Sequence, residues 1–200
     1  MTASAQTAPG GFAPTTLDSQ SVFRVVLDVL SRPGTIGRVP DRSDGPPEPL
    51  DTATAAVALC LFDHDTKIWL GDGIACMDVY EYLKLHCSCP LIKSGLSADF
   101  ALLGAAGGVP GLGQFNPGTD TYPDRSTTLV VQVADIDGGA PIHLTGPGIE
   151  TEATLRVAGM PDYFWQQRRD QQDAFPCGVD LIFTCGDRLV ALPRSTEIEV

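Results

Sequence analysis

The 200-residue sequence is short of positive charge. Thirteen lysines and arginines stand against 25 acidic residues, for a formal net charge of −12. That balance argues against nucleic acid or an anionic membrane surface as a partner, because both require a basic field. A small phosphorylated ligand stays open, since one or two local arginines can hold it. Lysine itself is scarce: Lys67, Lys84 and Lys93 are the three, against ten arginines. A pyridoxal phosphate enzyme needs a Schiff-base lysine. Lys93, between Leu91-Ile92 and Ser94-Gly95, is the one whose setting invites that role, while Lys67 and Lys84 fall in a strand and a helix. No apolar run approaches the roughly 18 residues of a membrane span. The start, MTASAQTAPGGFAP, lacks the basic and then apolar regions of a secretory leader. Residues 1–18 are expected to form a disordered tail, residues 19–200 a single domain, and the compartment is expected to be the cytoplasm. The six cysteines would then be mostly reduced.

The size suits one domain, and a chain of this length buries about 70% of its unfolded surface without a metal or disulfide staple. Along it, helices alternate with strands early and strands cluster late, which points to an α/β fold with a mixed sheet and flanking helices. Asp18 or Ser19 can cap a helix reaching Leu30. Phe23, Val26, Leu27 and Leu30 form one apolar stripe there, and Val22, Val25 and Val29 a second. Arg24 and Asp28 are spaced to pair. Asp51 or Thr52 opens a small, apolar, buried helix over TATAAVALCLF. A strand is expected at Lys67–Leu70 and a helix from Asp78 to about His86. Gly104–Arg125 reads as a long loop, a length that often marks function. Thr127–Ala134 reads as a strand, with Pro141–Leu144 as its antiparallel partner. Pro161 begins a helix with Tyr163-Phe164-Trp165 at its start, either an anchor for another protein or part of the chain's own core.

The closing stretch is the densest in special residues. Val179–Cys185 and Leu189–Leu192 are apolar runs joined at Gly186-Asp187, a hairpin signal. The unbroken run Leu181-Ile182-Phe183 suits a strand buried on both faces. Arg194 follows Pro193 where the second strand ends. It is a candidate to contact an anion, and an ordinary intramolecular ion pair is the other reading.

Motif by motif, no catalytic centre is specified. Gly71-x-Gly73 lies between a strand and a helix, but the third glycine of a dinucleotide loop is missing. The glycine-rich segment Gly107–Gly113 has no Lys-Ser/Thr ending of a phosphate loop. His86, Cys87 and Cys89 have the wrong spacing for structural zinc and no second pair, so no metal is expected. Ser94-Gly95 is not a nucleophile elbow.

Several blocks in order nevertheless carry a resemblance. They are Ser21, Phe23, Arg24, Leu27, Ser31, Pro33 and Gly34; Trp69-Leu70; the TLVVQVA strand; Leu144–Ile149; and the closing FP-x-G-x-D-LI-x-TCG-x-RL-x-A-x-PR. Together they resemble the H-subunit family of the bacterial carbon–phosphorus lyase system (PhnH) over about residues 20–200. That resemblance implies a fold like that of the pyridoxal phosphate transferases, without the cofactor. It implies a homodimer that joins the G, I, J and K subunits, and acts with L, in the cytoplasmic use of phosphonates. The implied activity is support for a non-redox transferase step, in which an alkylphosphonate displaces adenine from ATP to give alpha-D-ribose 1-alkylphosphonate 5-triphosphate. No catalytic residue is implied for this subunit. Arg194 and Arg24, which lie in the resembling blocks, are the candidates to touch a phosphate, a phosphonate or a partner's carboxylate. The rival classes are a stand-alone phosphate- or phosphonate-binding or transferase protein, and an interaction module with no ligand.

Overall fold

The computed structural model describes residues 15–40 and 45–199. The tail expected over residues 1–18 lies outside the described residues as far as residue 14. From Thr15 the chain is already helical, so the first helix, α1 (Thr15–Ser31), begins three residues earlier than the capping signal at Asp18 suggests.

A seven-stranded mixed sheet forms the centre. Its strands are β1 (Gly37–Arg38), β2 (Ile68–Leu70), β3 (Leu91–Ile92), β4 (Phe100–Gly104), β5 (Thr128–Gln132), β8 (Asp180–Cys185) and β9 (Arg188–Leu192), in the order β1-β9-β8-β5-β4-β2-β3. The run from β3 to β8 is parallel, and β9 is antiparallel to both its neighbours. A second sheet has the order β10-β6-β7, formed by β6 (Pro141–Thr145), β7 (Ala153–Arg156) and β10 (Glu197–Glu199). The helices are α1, α2 (Thr52–Leu61), α3 (Met77–His86) and α4 (Asp162–Asp170). This is the mixed α/β arrangement expected from the alternation of patterns. No helix among the described residues is long and apolar enough to cross a membrane.

Because side chains alternate across a strand, the sheet splits the core in two. Ile68, Leu102, Val130, Ile182, Leu189 and Ala191 face α1, α2 and α3. Ala101, Leu103, Leu129, Val131, Leu181, Phe183, Val190 and Leu192 face the small sheet, α4 and the long loop. Strand β8 is therefore covered on both faces, as its unbroken apolar run requires. The hairpin β8–β9 turns at Gly186, whose φ is +61°.

Three expectations are corrected. In α1 the buried stripe is Val22, Val26 and Val29, whereas Phe23 and Leu27 are 45% and 49% exposed. The reason is space: a Cβ on Gly37 of β1 would lie 2.6 Å from Val25 Cγ1 and 2.9 Å from Val29 Cγ1. That approach accepts a valine face and no larger one. Asp28 pairs with Arg32 and not with Arg24. Second, β6 pairs with β7 and β10 and not with β5, because both sides of β5 are taken by β4 and β8. Third, Gly104–Arg125 is packed: it holds three short 3-10 turns and buries Val109, Leu112 and Phe115. Phe115 meets Trp69 edge-on at 5.5 Å between ring centroids.

Candidate functional site

In open parallel sheets, ligands favour the crevice at the carboxyl ends of the strands, where successive connections leave in opposite directions. Here that point lies between β2 and β4. The chain leaves β2 through α3 to reach β3 on one side, and leaves β4 toward β5 on the other. Two clefts open at this edge. One, of about 340 Å³, is bordered by Pro49, Gly73, Gly104, Ala105 and Gln132. The other, of about 350 Å³, is bordered by Trp69, Asp72, Gly107, Gln114 and Tyr163.

Between them the two chain segments touch through backbone. A Cβ on Gly107 would sit 2.3 Å from Gly73 N and 2.4 Å from Gly73 Cα, and one on Gly73 would sit 2.6 Å from Gly104 O. The Gly-x-Gly that fails as a dinucleotide loop is thus used to let one turn cross another.

The amino end of α2 arrives at the same edge and is closed by its own residues. Asp51 Oδ1 accepts from Thr54 N–H at 2.8 Å and from the Thr54 hydroxyl at 2.6 Å. Its Oδ2 accepts from Gly186 N–H at 2.8 Å. Gln132 accepts from Asp51 N–H and donates to Pro49 O, at 2.8 and 2.7 Å. The Thr54 and Thr184 hydroxyls meet at 2.7 Å. Burial raises the Asp51 carboxyl above its ordinary value, and the bonds from Thr54 and Gly186 pull it partly back. A helix amino end filled by its own carboxylate has little left for an outside anion.

The opposite edge gathers the arginine picked out in the sequence. Arg194 N–H donates to Asp180 Oδ1 at 2.8 Å, and its guanidinium lies 3.8 Å from Asp180 Oδ2. The same guanidinium donates to Pro123 O and the Ser126 hydroxyl, and to Gly178 O at 3.4 Å. It is 21% exposed, so most of its donors serve to hold the 123–126 turn and the entry to β8. A second arginine, unmarked in the sequence reading, lies behind it. Arg168 of α4 is 1% exposed and donates to Pro193 O and Thr196 O, both at 2.8 Å. Burial lowers its pKa to about 10, and Asp180 acts against that fall. Arg168 Nε and Thr196 Oγ1 are buried with no hydrogen-bond partner among the described residues. Arg168 stands in the polar run QQRRDQQ; its place four residues after buried Phe164, on one helix face, was the available signal.

The other sequence candidates scatter. Arg24 is exposed on α1, far along the chain from any of these networks. Phe164 and Trp165 are buried against Phe183, so two members of the aromatic trio belong to the chain's own core. Tyr163 is half exposed, and its hydroxyl donates to Val109 O. Lys93 is exposed after the edge strand β3. Among the described residues no three His, Cys, Asp or Glu side chains are grouped to hold a metal. Cys87 and Cys89 are both buried. Hydrogen bonding to Cys89, with burial behind it, raises the Cys87 thiol, and the same bond lowers Cys89.

These features define an α/β domain in which Asp51, Arg168 and Arg194 hold the chain's own turns. The chain belongs to the family of bacterial phosphonate metabolism proteins (PhnH), whose pattern it matches over residues 10–199. It is 39% identical over 199 residues to the alpha-D-ribose 1-methylphosphonate 5-triphosphate synthase subunit PhnH of Rhizobium meliloti (strain 1021), covering 100% of this chain and 99% of that protein. It is 30% identical over 185 residues to a putative C-P lyase subunit protein, HtxG, of Stutzerimonas stutzeri, covering 90% and 86% of the two chains.

Proposed function

We propose that this chain is a non-redox subunit of a carbon–phosphorus lyase assembly. In that role it supports formation of alpha-D-ribose 1-alkylphosphonate 5-triphosphate from ATP and an alkylphosphonate in phosphonate catabolism. The observation that carries this reading is the end-to-end likeness, at 39% identity, to a relative named as a subunit of the corresponding synthase. The commitment of Arg194, Arg168 and Asp51 to internal bonds supports a scaffolding part in that step, with Arg194 acting by positioning the turn it holds.

The partners proposed are a second copy of this chain and subunits G, I, J and K, with L acting in the same step in the cytoplasm. Exposed Phe23 and Leu27 lie on α1 with exposed Arg24 to one side, an apolar pair flanked by a cation. That combination suits a partner surface carrying a carboxylate, and Arg24 is proposed for that contact. The fold is proposed to be of the pyridoxal phosphate transferase kind, working without that cofactor and without a metal. All three lysines are exposed, and none borders the two clefts at the carboxyl edge.

Co-expression with the G, I, J and K subunits, followed by mass determination of the purified complex, tests this reading. The expected result is one complex carrying two copies of this chain. Recovery of the chain by itself, with none of the four attached, would overturn it. Phe23→Glu combined with Leu27→Glu would be expected to release the chain from the complex while leaving its fold intact, since both side chains already face solvent.

A further inference from the structure

The second cleft at the carboxyl edge, of about 350 Å³, is used neither by the fold nor by the proposed subunit role. Its size falls at the lower end of small-molecule sites. Contacts among its own walls fix it. The turn at Gly71–Gly73 and the segment 107–109 run in backbone contact: a Cβ on Gly107 would lie 2.3 Å from Gly73 N and 3.2 Å from Asp72 C. Val109 O accepts from the Tyr163 hydroxyl. Asp72 and Tyr163 are thereby held to the two ends of the segment 107–109. The Trp69 ring completes the wall. It stands edge-on to Phe115, with 5.5 Å between ring centroids. Its Cζ3 comes within 3.3 Å of the Cβ position of Gly71, so the indole lies against the turn that carries Asp72.

These walls present two aromatic rings and one carboxylate. Trp69 is half-buried and Tyr163 is exposed. Asp72 is exposed, and its carboxylate forms no ion pair among the described residues. Gln114, also exposed, adds an amide acceptor. No lysine, arginine or histidine among the described residues borders the cleft. Aromatic faces attract cations through the ring quadrupole, and alkylated ammonium groups are the clearest case. A carboxylate can only accept, and its strongest partner is a positive charge. A phosphate, phosphonate or nucleotide would meet Asp72 with no cation in the walls to offset it. A sugar could donate hydroxyls to Asp72. The net charge of −12, however, draws cations toward the molecule and does nothing for a neutral ligand.

We propose that this cleft binds a small organic ammonium ion. Trp69 and Tyr163 receive its alkyl groups and charge on their rings, and Asp72 neutralises it. The site belongs to the isolated chain and does not depend on the assembly proposed above, so the two can fail separately.

Calorimetric titration of the full chain tests it, with choline, tert-butanol and glucose as probes. The expected result is saturable binding of choline, with no saturation by either neutral probe over the same range. Asp72→Asn should weaken choline binding ~10-fold. Tyr163→Ala should weaken it ~5-fold, whereas Tyr163→Phe, which keeps the ring and loses the bond to Val109 O, should stay within ~2-fold. Asp124→Asn changes an exposed carboxylate outside the cleft and should leave binding unchanged. Absence of saturable choline binding up to ~10 mM would overturn the proposal. Equal affinity for tert-butanol or glucose would remove the charge from the assignment and overturn the ligand class. Weakening by Asp124→Asn as large as that by Asp72→Asn would place the ligand elsewhere and overturn the site, as would equal weakening by the two Tyr163 variants.

Discussion

Arg194 and Asp180 are joined twice: the Arg194 backbone N–H donates to one Asp180 oxygen at 2.8 Å, and the guanidinium lies 3.8 Å from the other. One carboxylate thus fixes both the direction of the chain leaving β9 and the side chain that pins the 123–126 turn. Arg194→Ala removes the side-chain bonds to Pro123, Ser126 and Gly178 but keeps the backbone one. It is expected to lower unfolding free energy by ~2–3 kcal/mol, measured by urea denaturation. Asp180→Asn should cost less, ~1 kcal/mol, and the double variant should cost less than the sum. A loss below ~0.5 kcal/mol for Arg194→Ala would mean the turn is held by other contacts.

The crossing of the turns at Gly73 and Gly107 gives a sharper test. Gly107→Ala places a methyl 2.3 Å from Gly73 N, where backbone cannot yield cheaply. A loss of ~3 kcal/mol or more is expected, or failure to accumulate as folded protein. Gly113→Ala, in the same loop, meets nothing within 4 Å. It should be neutral or stabilising by ~0.5 kcal/mol. Melting temperatures of the two variants decide the point, and similar values would contradict the close approach.

Asp51 makes a prediction with a sign. Burial raises its folded pKa, so the native chain holds this proton more tightly than the unfolded chain. The stability this provides is fully present below the unfolded value, ~3.9, and is lost as pH rises through the folded one. Asp51→Asn keeps an acceptor for Thr54 N–H and removes the titration. Its stability relative to the parent is therefore expected to improve between about pH 4 and about pH 7. Denaturation at both values measures it, and a decline over that range would reverse the assignment.

The Cys87–Cys89 pair should react unequally. The bond between them raises Cys87 and lowers Cys89, and the thiolate is the reactive form. Slow alkylation followed by peptide mass mapping is expected to label Cys89 ahead of Cys87. Cys87→Ser, a poorer match to the sulfur it faces, should slow labelling of Cys89. Equal rates in the parent would contradict the ordering.

Much of the central sheet could be read from the chain because its signals are local. The β8–β9 hairpin is two apolar runs and a glycine, and α2 is an apolar stretch behind an aspartate. What escaped was decided at a distance. Nothing near β6 says that both sides of β5 are occupied. The apolar residues of the long loop, Val109, Leu112 and Phe115, are spaced by glycine and proline and show no period, yet they cover one face of the sheet. Arg168 reads as surface until α4 is laid against the turn between β9 and β10, where it donates to Pro193 O and Thr196 O.

The outermost strands of the large sheet, β1 and β3, are two residues long each. A margin that short presents almost no row of open N–H and C=O groups for another chain to extend. Strand-by-strand extension of that sheet into fibres or sheet-edge pairs is thereby disfavoured in the folded protein. A lasting contact made at the margins of that sheet must be read from side chains, and so can be made selective for one surface over another.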